Sequence, residues 1–167
     1  MHTVVTPEMN AAVGTRISRR VSYPVAASDI RRWALATYWP LPAPAAYLSL
    51  DEAGVVAPEE FNPFAWASAE SDRNPAARDS EPNDPDHTEK QIGVAGPGLM
   101  FQLNGGLEME YLAPIRVGDV ITSVAQLGGY TEREGRLGHM LMTKLEDTWT
   151  NQDGRHVKRS TITLIRY

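Results

Sequence analysis

One alternating stretch, residues 103–122, constrains the fold of this chain more than any other part of it. It reads LNGGLEMEYLAPIRVGDVIT. Positions 107–111 alternate apolar residues with two glutamates, so in an extended segment one face is apolar and the other is charged. The pattern predicts a half-buried β-strand.

A turn should follow that strand. Pro114 cannot donate a ladder hydrogen bond and the GD sequence at 118–119 favours a turn, so the first strand should end just before the proline and the next should begin near Val120. We expect these two strands to pair antiparallel. Two further strands are predicted at about 138–150 and 156–167, on either side of the turn-forming sequence NQDG. The C-terminal half therefore has the pattern of a β-meander.

The N-terminal half carries a helical pattern. Apolar residues recur at helical spacing between Ser28, a potential N-cap, and Pro40, and Trp33 marks the face that should pack. A short strand is predicted before it, at about 16–25, and a second helix after it, at 58–66, with a proline in its first turn. Helices followed by an antiparallel meander predict an α+β fold in which the sheet wraps around a helix.

A chain of 167 residues fits one domain with a sizeable core. Residues 1–14 have no periodicity and are predicted to form a flexible N-terminal arm, which leaves 15–167 as the single domain. Within it, about 68–97 is an inserted loop rich in acidic residues and proline. A loop of this length is either a lid or binding loop, or a disordered insertion, and the sequence does not decide between them.

Composition excludes several classes of function. A net charge of −5 argues against a nucleic-acid binder that relies on phosphate neutralisation. The absence of cysteine excludes disulfides and thiolate metal sites and agrees with a reducing cytoplasm. We find no basic leader, no apolar run long enough to span a membrane, and no His, Asp and Glu at metal-ligand spacing. The chain is therefore predicted to be a cytoplasmic protein without a metal site.

Three segments together resemble MaoC-like hot-dog domains. GGLEMEYLAPIRVGDVI, at 105–121, is similar to the family's acidic, aromatic strand that leads through a proline into a Gly-Asp turn. Residues 23–66 resemble the N-terminal part of the domain, with its Gly-x-Val-Ala-Pro segment at 54–58, and 142–165 resembles its closing hairpin. The resemblance implies a hot-dog fold, in which an antiparallel β-sheet wraps around a central helix.

The resemblance also implies a reaction class, the reversible hydration of an enoyl thioester. The acyl group is carried on coenzyme A or acyl carrier protein, so the thioester is part of the substrate and no separate cofactor is expected. Catalytic members carry an Asp and a His in a segment of the type G-D-x-N-P-x-H after the first helix. One group takes a proton from water while the other protonates the α-carbon.

This chain departs from the family pattern at that segment. Residues 38–47 read YWPLPAPAAY, with neither Asp nor His, and the histidines stand at positions 2, 87, 139 and 156. The chain therefore resembles the non-catalytic half of a double hot dog, with no catalytic residue of its own. We expect a subunit of a heteromeric enoyl-CoA hydratase, as a heterodimer or heterotetramer. In it, this hot dog accommodates a bulky acyl or sterol tail while a MaoC-like partner supplies the Asp/His dyad.

Large apolar residues beside irregular segments are the candidate substrate-binding residues: Trp39, Tyr47, Phe61, Trp66 and Met100. Each of them is alternatively an ordinary core residue. The resemblance further implies that backbone amides at a helix start, here at Gly54 and Val55, hold the thioester oxygen.

Other interpretations remain open. The chain is alternatively a stand-alone hot dog that binds acyl thioesters without catalysis. It is also alternatively a hot-dog thioesterase, in which an acid directs water onto the thioester; the candidates are Asp51, Glu52, Glu59 and Glu60. Five arginines near the N-terminus either grip coenzyme A phosphates or form a solvated face: Arg16, Arg19, Arg20, Arg31 and Arg32.

Overall fold

The computed structural model describes residues 3–51, 54–72, 84–136 and 138–167. Its helices are α1 (Pro7–Ala11), α2 (Ala27–Tyr38) and α3 (His87–Gln91), with a 3-10 turn at Ala45–Tyr47. Its strands are β1 (Arg16–Val21), β2 (Glu70–Ser71), β3 (Gln102–Tyr111), β4 (Thr122–Gly135), β5 (Gly138–Thr150) and β6 (His156–Arg166). The α+β class predicted from the sequence is confirmed.

The strands form one antiparallel sheet in the order β2-β1-β4-β5-β6-β3. The meander β4-β5-β6 is as predicted, but β3 pairs with β6 at the far edge, so the predicted pairing of β3 with β4 is wrong. The connection between them is not a tight hairpin. It crosses the end of the sheet, where Ala57 N donates to Ile115 O at 2.8 Å and Gly118 N donates to Val25 O at 2.8 Å.

Helix α2 packs over one end of the sheet. Ile30 and Ala34 are wholly buried, and Trp33 packs against the core, as predicted. The helix begins after Ala26 rather than at Ser28 and ends before Pro40. The buried core cluster consists of Val25, Ile30, Val55, Ala57, Phe61, Phe64, Ala113, Ile115, Ile121, Trp149 and Val157. Ile121 immediately precedes β4, Trp149 lies at the end of β5 and Val157 at the start of β6. The core therefore occupies one end of the sheet.

Residues 58–66 form turns in place of the predicted helix. Asn62 Oδ1 accepts a hydrogen bond from Phe64 N at 3.0 Å, and Phe61 N donates to Pro58 O at 2.9 Å. This side-chain turn, which encloses Pro63, offers the backbone an alternative to helical hydrogen bonds. The helix prediction is therefore wrong.

Two segments predicted to lack regular structure contain short helices. Within the arm predicted at 1–14, of which residues 1 and 2 lie outside the described residues, α1 is capped by Thr6, whose Oγ1 accepts from Met9 N at 3.2 Å, and Met9 is fully buried. Within the predicted loop at 68–97, β2 and α3 are ordered elements and Glu89 is fully buried. The rest of that loop includes 73–83, which lie outside the described residues.

Candidate functional site

The face of the sheet that carries the core continues beyond it as an open apolar surface. Residues paired across an antiparallel ladder share a face. Leu145 pairs with Ile162, and Ile162 pairs with Leu107, so these three side chains form one row across β5, β6 and β3. The next row towards the core brings Met109 opposite Ser160. We call Leu107, Met109, Leu145 and Ile162 the apolar groove.

The apolar groove is exposed where it meets the edge of the sheet. Leu107 is 52% exposed, Met109 45% and Ile162 38%, although the alternating pattern of β3 predicted a half-buried strand. The cause is that α2 covers only the other end of the sheet. At about 3.4 Å per residue along β6, the row of Lys158 and the row of Leu164, which border the groove, lie about 20 Å apart.

An aromatic and cationic wall closes the groove on the core side. Here Trp149 pairs with Lys158, and Lys158 pairs with Tyr111. The Phe64 ring meets the Trp149 ring edge-on at 5.2 Å, and Lys158 Nζ lies 3.7 Å from the centre of the same indole. Burial lowers the pKa of Lys158. A cavity of about 230 Å³ lies beside Tyr111 and Lys158 and is lined also by residues 56–59 and 112–115.

Asp147 lies in the same row as Ser160 and Met109 and is held by three neighbours. Its carboxylate accepts hydrogen bonds from Ser123 Oγ at 2.8 Å and from Trp149 Nε1 at 2.9 Å, and it lies 3.5 Å from Arg20 Nη2. These contacts hold the Trp149 indole in place at the end of the groove.

A buried ionic cluster closes the opposite end. Arg166 and Glu89 are both fully buried, with Arg166 Nη2 2.6 Å from Glu89 Oε1 and Arg166 Nη1 2.8 Å from Glu89 Oε2. Arg166 also donates to Thr143 Oγ1 at 2.6 Å, and Tyr130 Oη donates to Glu89 Oε1 at 2.8 Å. Burial, together with the hydrogen bond to Glu89, raises the pKa of Tyr130 well above its usual value. Helix α3 is thereby fastened to the sheet.

The substrate-binding residues predicted from the sequence fall into different environments. Phe61 is only 1% exposed and belongs to the core, with its ring 5.8 Å from that of Trp33. Trp66 is 49% exposed, with its ring 6.3 Å from that of Trp33. Tyr47 packs against the core with its ring 6.1 Å from Tyr38, and burial raises its pKa.

Trp39 and Met100, the other two predicted binding residues, are each 80% exposed. The structure therefore brings Phe61, Trp66 and Tyr47 together around α2, on the core side of the apolar groove. Neither Trp39 nor Met100 belongs to the rows that form the groove.

The predicted oxyanion amides lose their structural basis. No α-helix begins at Gly54 or Val55, and Val55 is a buried core residue. Glu59 and Glu60, two of the candidates for a thioesterase acid, lie in turns rather than in the predicted helix at 58–66, and Glu59 lines the 230 Å³ cavity. The candidate Glu52 lies outside the described residues.

The three described histidines lie outside the rows of the groove. His87 Nε2 is 2.8 Å from Gln91 Nε2 within α3. His139 stands at the β4–β5 hairpin between Glu132 and Glu134, whose hydrogen bonds raise its pKa, and His156 begins β6. In the ranges that the structure describes, no group of three or more histidines and acids is placed to hold a metal ion.

Sequence reasoning missed Glu89, Arg166 and Asp147. A charged residue in an acidic loop and another beside the chain terminus both have the pattern of solvated positions. The available signal for Arg166 was the two-residue period of a strand, which puts it on the same face as Leu164. For Glu89 the sequence offered none.

No helix among the described residues is long and apolar enough to cross a membrane.

A family model described as "FAS1-like, dehydratase domain region" matches residues 11–160. Among solved structures, the crystal structure of the ChsH1-ChsH2 complex from Mycobacterium tuberculosis aligns with a TM-score of 0.60 and 17% sequence identity, covering 96% of this chain and 87% of that chain. The MaoC-like dehydratase from Rhodospirillum rubrum aligns with a TM-score of 0.46 and 21% identity, covering 89% and 90%. No curated protein matches. At these identities the first structure supports the hot-dog fold and nothing finer.

Proposed function

The chain belongs to the family of FAS1-like dehydratase-region domains, which are MaoC-like hot dogs, and from that membership we propose that it is a subunit of a heteromeric enoyl-CoA hydratase. In this proposal it is the non-catalytic hot dog, which holds a bulky acyl or sterol tail in the apolar groove. A catalytic MaoC-like partner supplies the Asp/His dyad, in a heterodimer or heterotetramer. The substrate is a thioester of coenzyme A or an acyl carrier, and no further cofactor takes part.

The observation that carries the proposal is the open apolar groove on the helix-bearing face of the sheet. Leu107, Met109 and Ile162 are 38% to 52% exposed, and apolar surface of this kind is stabilised when a ligand covers it. The groove is bounded at one end by the Trp149 indole and at the other by the Arg166 cluster. A hydrocarbon tail fits this surface better than a polar ligand does.

The segment after α2 supports the division of labour between two chains. A hydration needs one group to accept a proton from water and another to donate one to carbon. Residues 38–47 carry neither Asp nor His. We therefore assign the proton transfers to the partner and binding of the tail to this chain.

The edge strand supports a partner at the groove. All of β3 except Tyr111 is exposed, and its outer side offers a row of backbone groups for pairing. The Mycobacterium tuberculosis structure is that of a complex between two chains, ChsH1 and ChsH2. We propose that a partner sheet joins β3 and completes the wall of the groove.

Four of the five residues predicted from the sequence remain proposed contacts for the outer part of the tail: Trp39, Tyr47, Trp66 and Met100. Phe61 is withdrawn from the site because it is buried in the core. We place the complex in the cytoplasm, which agrees with a chain that lacks cysteine.

Co-expression with a MaoC-like chain that carries the Asp/His dyad tests the proposal. The pair should hydrate long-chain or steroid enoyl-CoA, measured as loss of the conjugated thioester absorbance, while this chain alone should not. Met109→Thr should lower the rate with bulky substrates and spare short ones. Leu41→Thr is the matched control, since Leu41 is 71% exposed outside the groove.

Each rival interpretation predicts a different result with the same proteins and acyl thioesters. Hydration at enzymatic rates by this chain alone would exclude a partner-dependent subunit. Binding of acyl thioesters without any gain in activity from a catalytic hot dog would favour the stand-alone binder. Release of free coenzyme A from acyl-CoA would favour the thioesterase.

A further inference from the structure

We propose that the Glu89–Arg166 ion pair fixes residues 84–98 as the end wall of the apolar groove and thereby sets the longest acyl tail that the groove admits. The inference rests on the proposed function, because it concerns the tail that this chain would bind. Glu89 and Arg166 are positioning residues: they act through the segment that they hold.

The ion pair joins the loop to the sheet at several points. Arg166 projects from β6 in the row after that of Leu164, and its guanidinium meets both carboxylate oxygens of Glu89 on α3. Its Nη1 also donates to Pro85 O at 2.9 Å. Two-point contact between planar charged groups fixes orientation as well as distance. Arg166 therefore determines where the whole start of α3 lies on the sheet.

Contacts within residues 84–98 make the segment a compact unit. Gly98 N donates to the Asp86 carboxylate at 3.1 Å, and Val94 N donates to Glu89 O at 2.9 Å. A Cβ at Gly96 would lie 2.1 Å from Asp86 Cγ, so the returning chain approaches Asp86 closely because that position is glycine. A segment cross-linked in this way moves as one body when its anchor is released.

The anchor lies on the same face as the groove and just beyond it. Thr143, which accepts from Arg166, pairs with Leu164, and the next row along the sheet is Leu145 with Ile162. A tail that runs along the groove away from Trp149 therefore approaches the place where α3 is fastened. Because the pair is fully buried, displacing the segment would expose two charges that are now compensated. This makes the wall rigid, and a rigid wall discriminates by length.

Binding of saturated acyl-CoAs of increasing length to the full chain, measured by isothermal titration calorimetry, tests the inference. For the wild type, affinity should rise roughly four-fold for each buried methylene and then level off where the tail reaches the wall. In the double variant Glu89→Leu/Arg166→Met, which removes both charges of the fully buried pair together, the levelling should move to longer tails. Affinity for short acyl-CoAs should stay within about two-fold of the wild type. A change of that size is smaller than the roughly four-fold effect of a single buried methylene.

Hydrogen exchange of residues 84–98 in the same proteins shows whether the anchor has been released. The double variant should lose protection there and retain it in β4 and β5. Tyr130→Phe, which removes one hydrogen bond to Glu89, should produce a smaller change in the same direction. Lys90→Ala is the matched control, because Lys90 lies on α3 but makes an exposed ion pair with Asp84.

Three results would overturn the inference. The first is an unchanged length limit although exchange shows that the segment is released. The second is full protection of 84–98 in the double variant. The third is an equal fall in affinity at all lengths, as a purely structural role requires. Failure of the wild type to bind acyl-CoA of any length, both alone and together with the catalytic partner, would instead refute the proposed function on which the inference depends.

Discussion

Phe61 and Trp39 show how far burial separates residues that look alike in the sequence. Both are aromatic and both stand beside proline-containing irregular segments. Phe61 is 1% exposed and meets Trp33 in the core, whereas Trp39 is 80% exposed after the last residue of α2. The first stabilises the fold, and the second offers surface to a ligand or a partner.

Replacing these two residues by alanine should separate the two roles. Phe61→Ala should lower the free energy of unfolding by about 3 to 5 kcal/mol, because it leaves a cavity in the core. Trp39→Ala should change it by less than about 0.5 kcal/mol, as is usual for a surface position. Urea denaturation followed by circular dichroism measures both. Equal losses for the two variants would contradict the assignment.

At the scale of elements, the edge strand β3 determines what the molecule can join. Glu108 and Glu110 project from one face of β3, where Arg159 Nη1 lies 3.7 Å from Glu110 Oε2. A cavity of about 460 Å³ is lined by Glu108, Glu110, Glu146 and Arg159, together with Met109 and the neighbouring residues of β5 and β6. The strand therefore presents an acidic face to whatever pairs with its free edge.

Charge reversal on β3 should create a partner for the wild-type chain. In a two-fold pairing centred near Met109, Glu108 of one copy would lie opposite Glu110 of the other, which is unfavourable. A mixture of wild type with Glu108→Lys/Glu110→Lys should therefore contain a heterotypic dimer at low salt, since opposite charges across paired strands contribute roughly 0.2 to 1 kcal/mol per pair. Light scattering and native mass spectrometry measure it.

Glu134→Lys provides the control for that experiment, because Glu134 is exposed at the β4–β5 hairpin, away from β3. If the Glu134 variant forms as much heterotypic dimer as the β3 variant, the edge strand is not the pairing surface.

At the scale of the whole molecule, the apolar groove and the free edge are adjacent. Leu107 and Met109 belong to the groove and also to β3, the strand that a partner would extend. A partner sheet joined there would lie beside any bound tail. The two binding events should therefore favour one another, and this coupling is reciprocal by thermodynamic necessity.

Long acyl-CoA should tighten binding of the catalytic partner to this chain by on the order of five-fold or more, which is the usual lower range of such coupling. Butyryl-CoA should have no such effect, because its tail is too short to follow the groove to β3. Surface plasmon resonance with immobilised partner measures the change. Equal effects of the two ligands would show that coupling does not pass through the groove.

The sequence by itself determined the elements whose signals are local. The alternation at 107–111, the turn at NQDG and the helical spacing around Trp33 each depend on neighbours in the chain, and β3, the β5–β6 turn and α2 lie where those signals predicted them. The hot-dog family was a resemblance carried by 23–66, 105–121 and 142–165, and the family match over 11–160 confirms it.

Only the tertiary structure decided which strands are neighbours and which faces are covered. Whether the apolar face of β3 is buried depends on the reach of α2, and the alternating pattern is the same in either case. Glu89 and Arg166 stand 77 positions apart, so nothing local to either residue signals their contact. Strand order, exposure and long-range ion pairs depend on what lies opposite in space, and that is set when the whole chain packs.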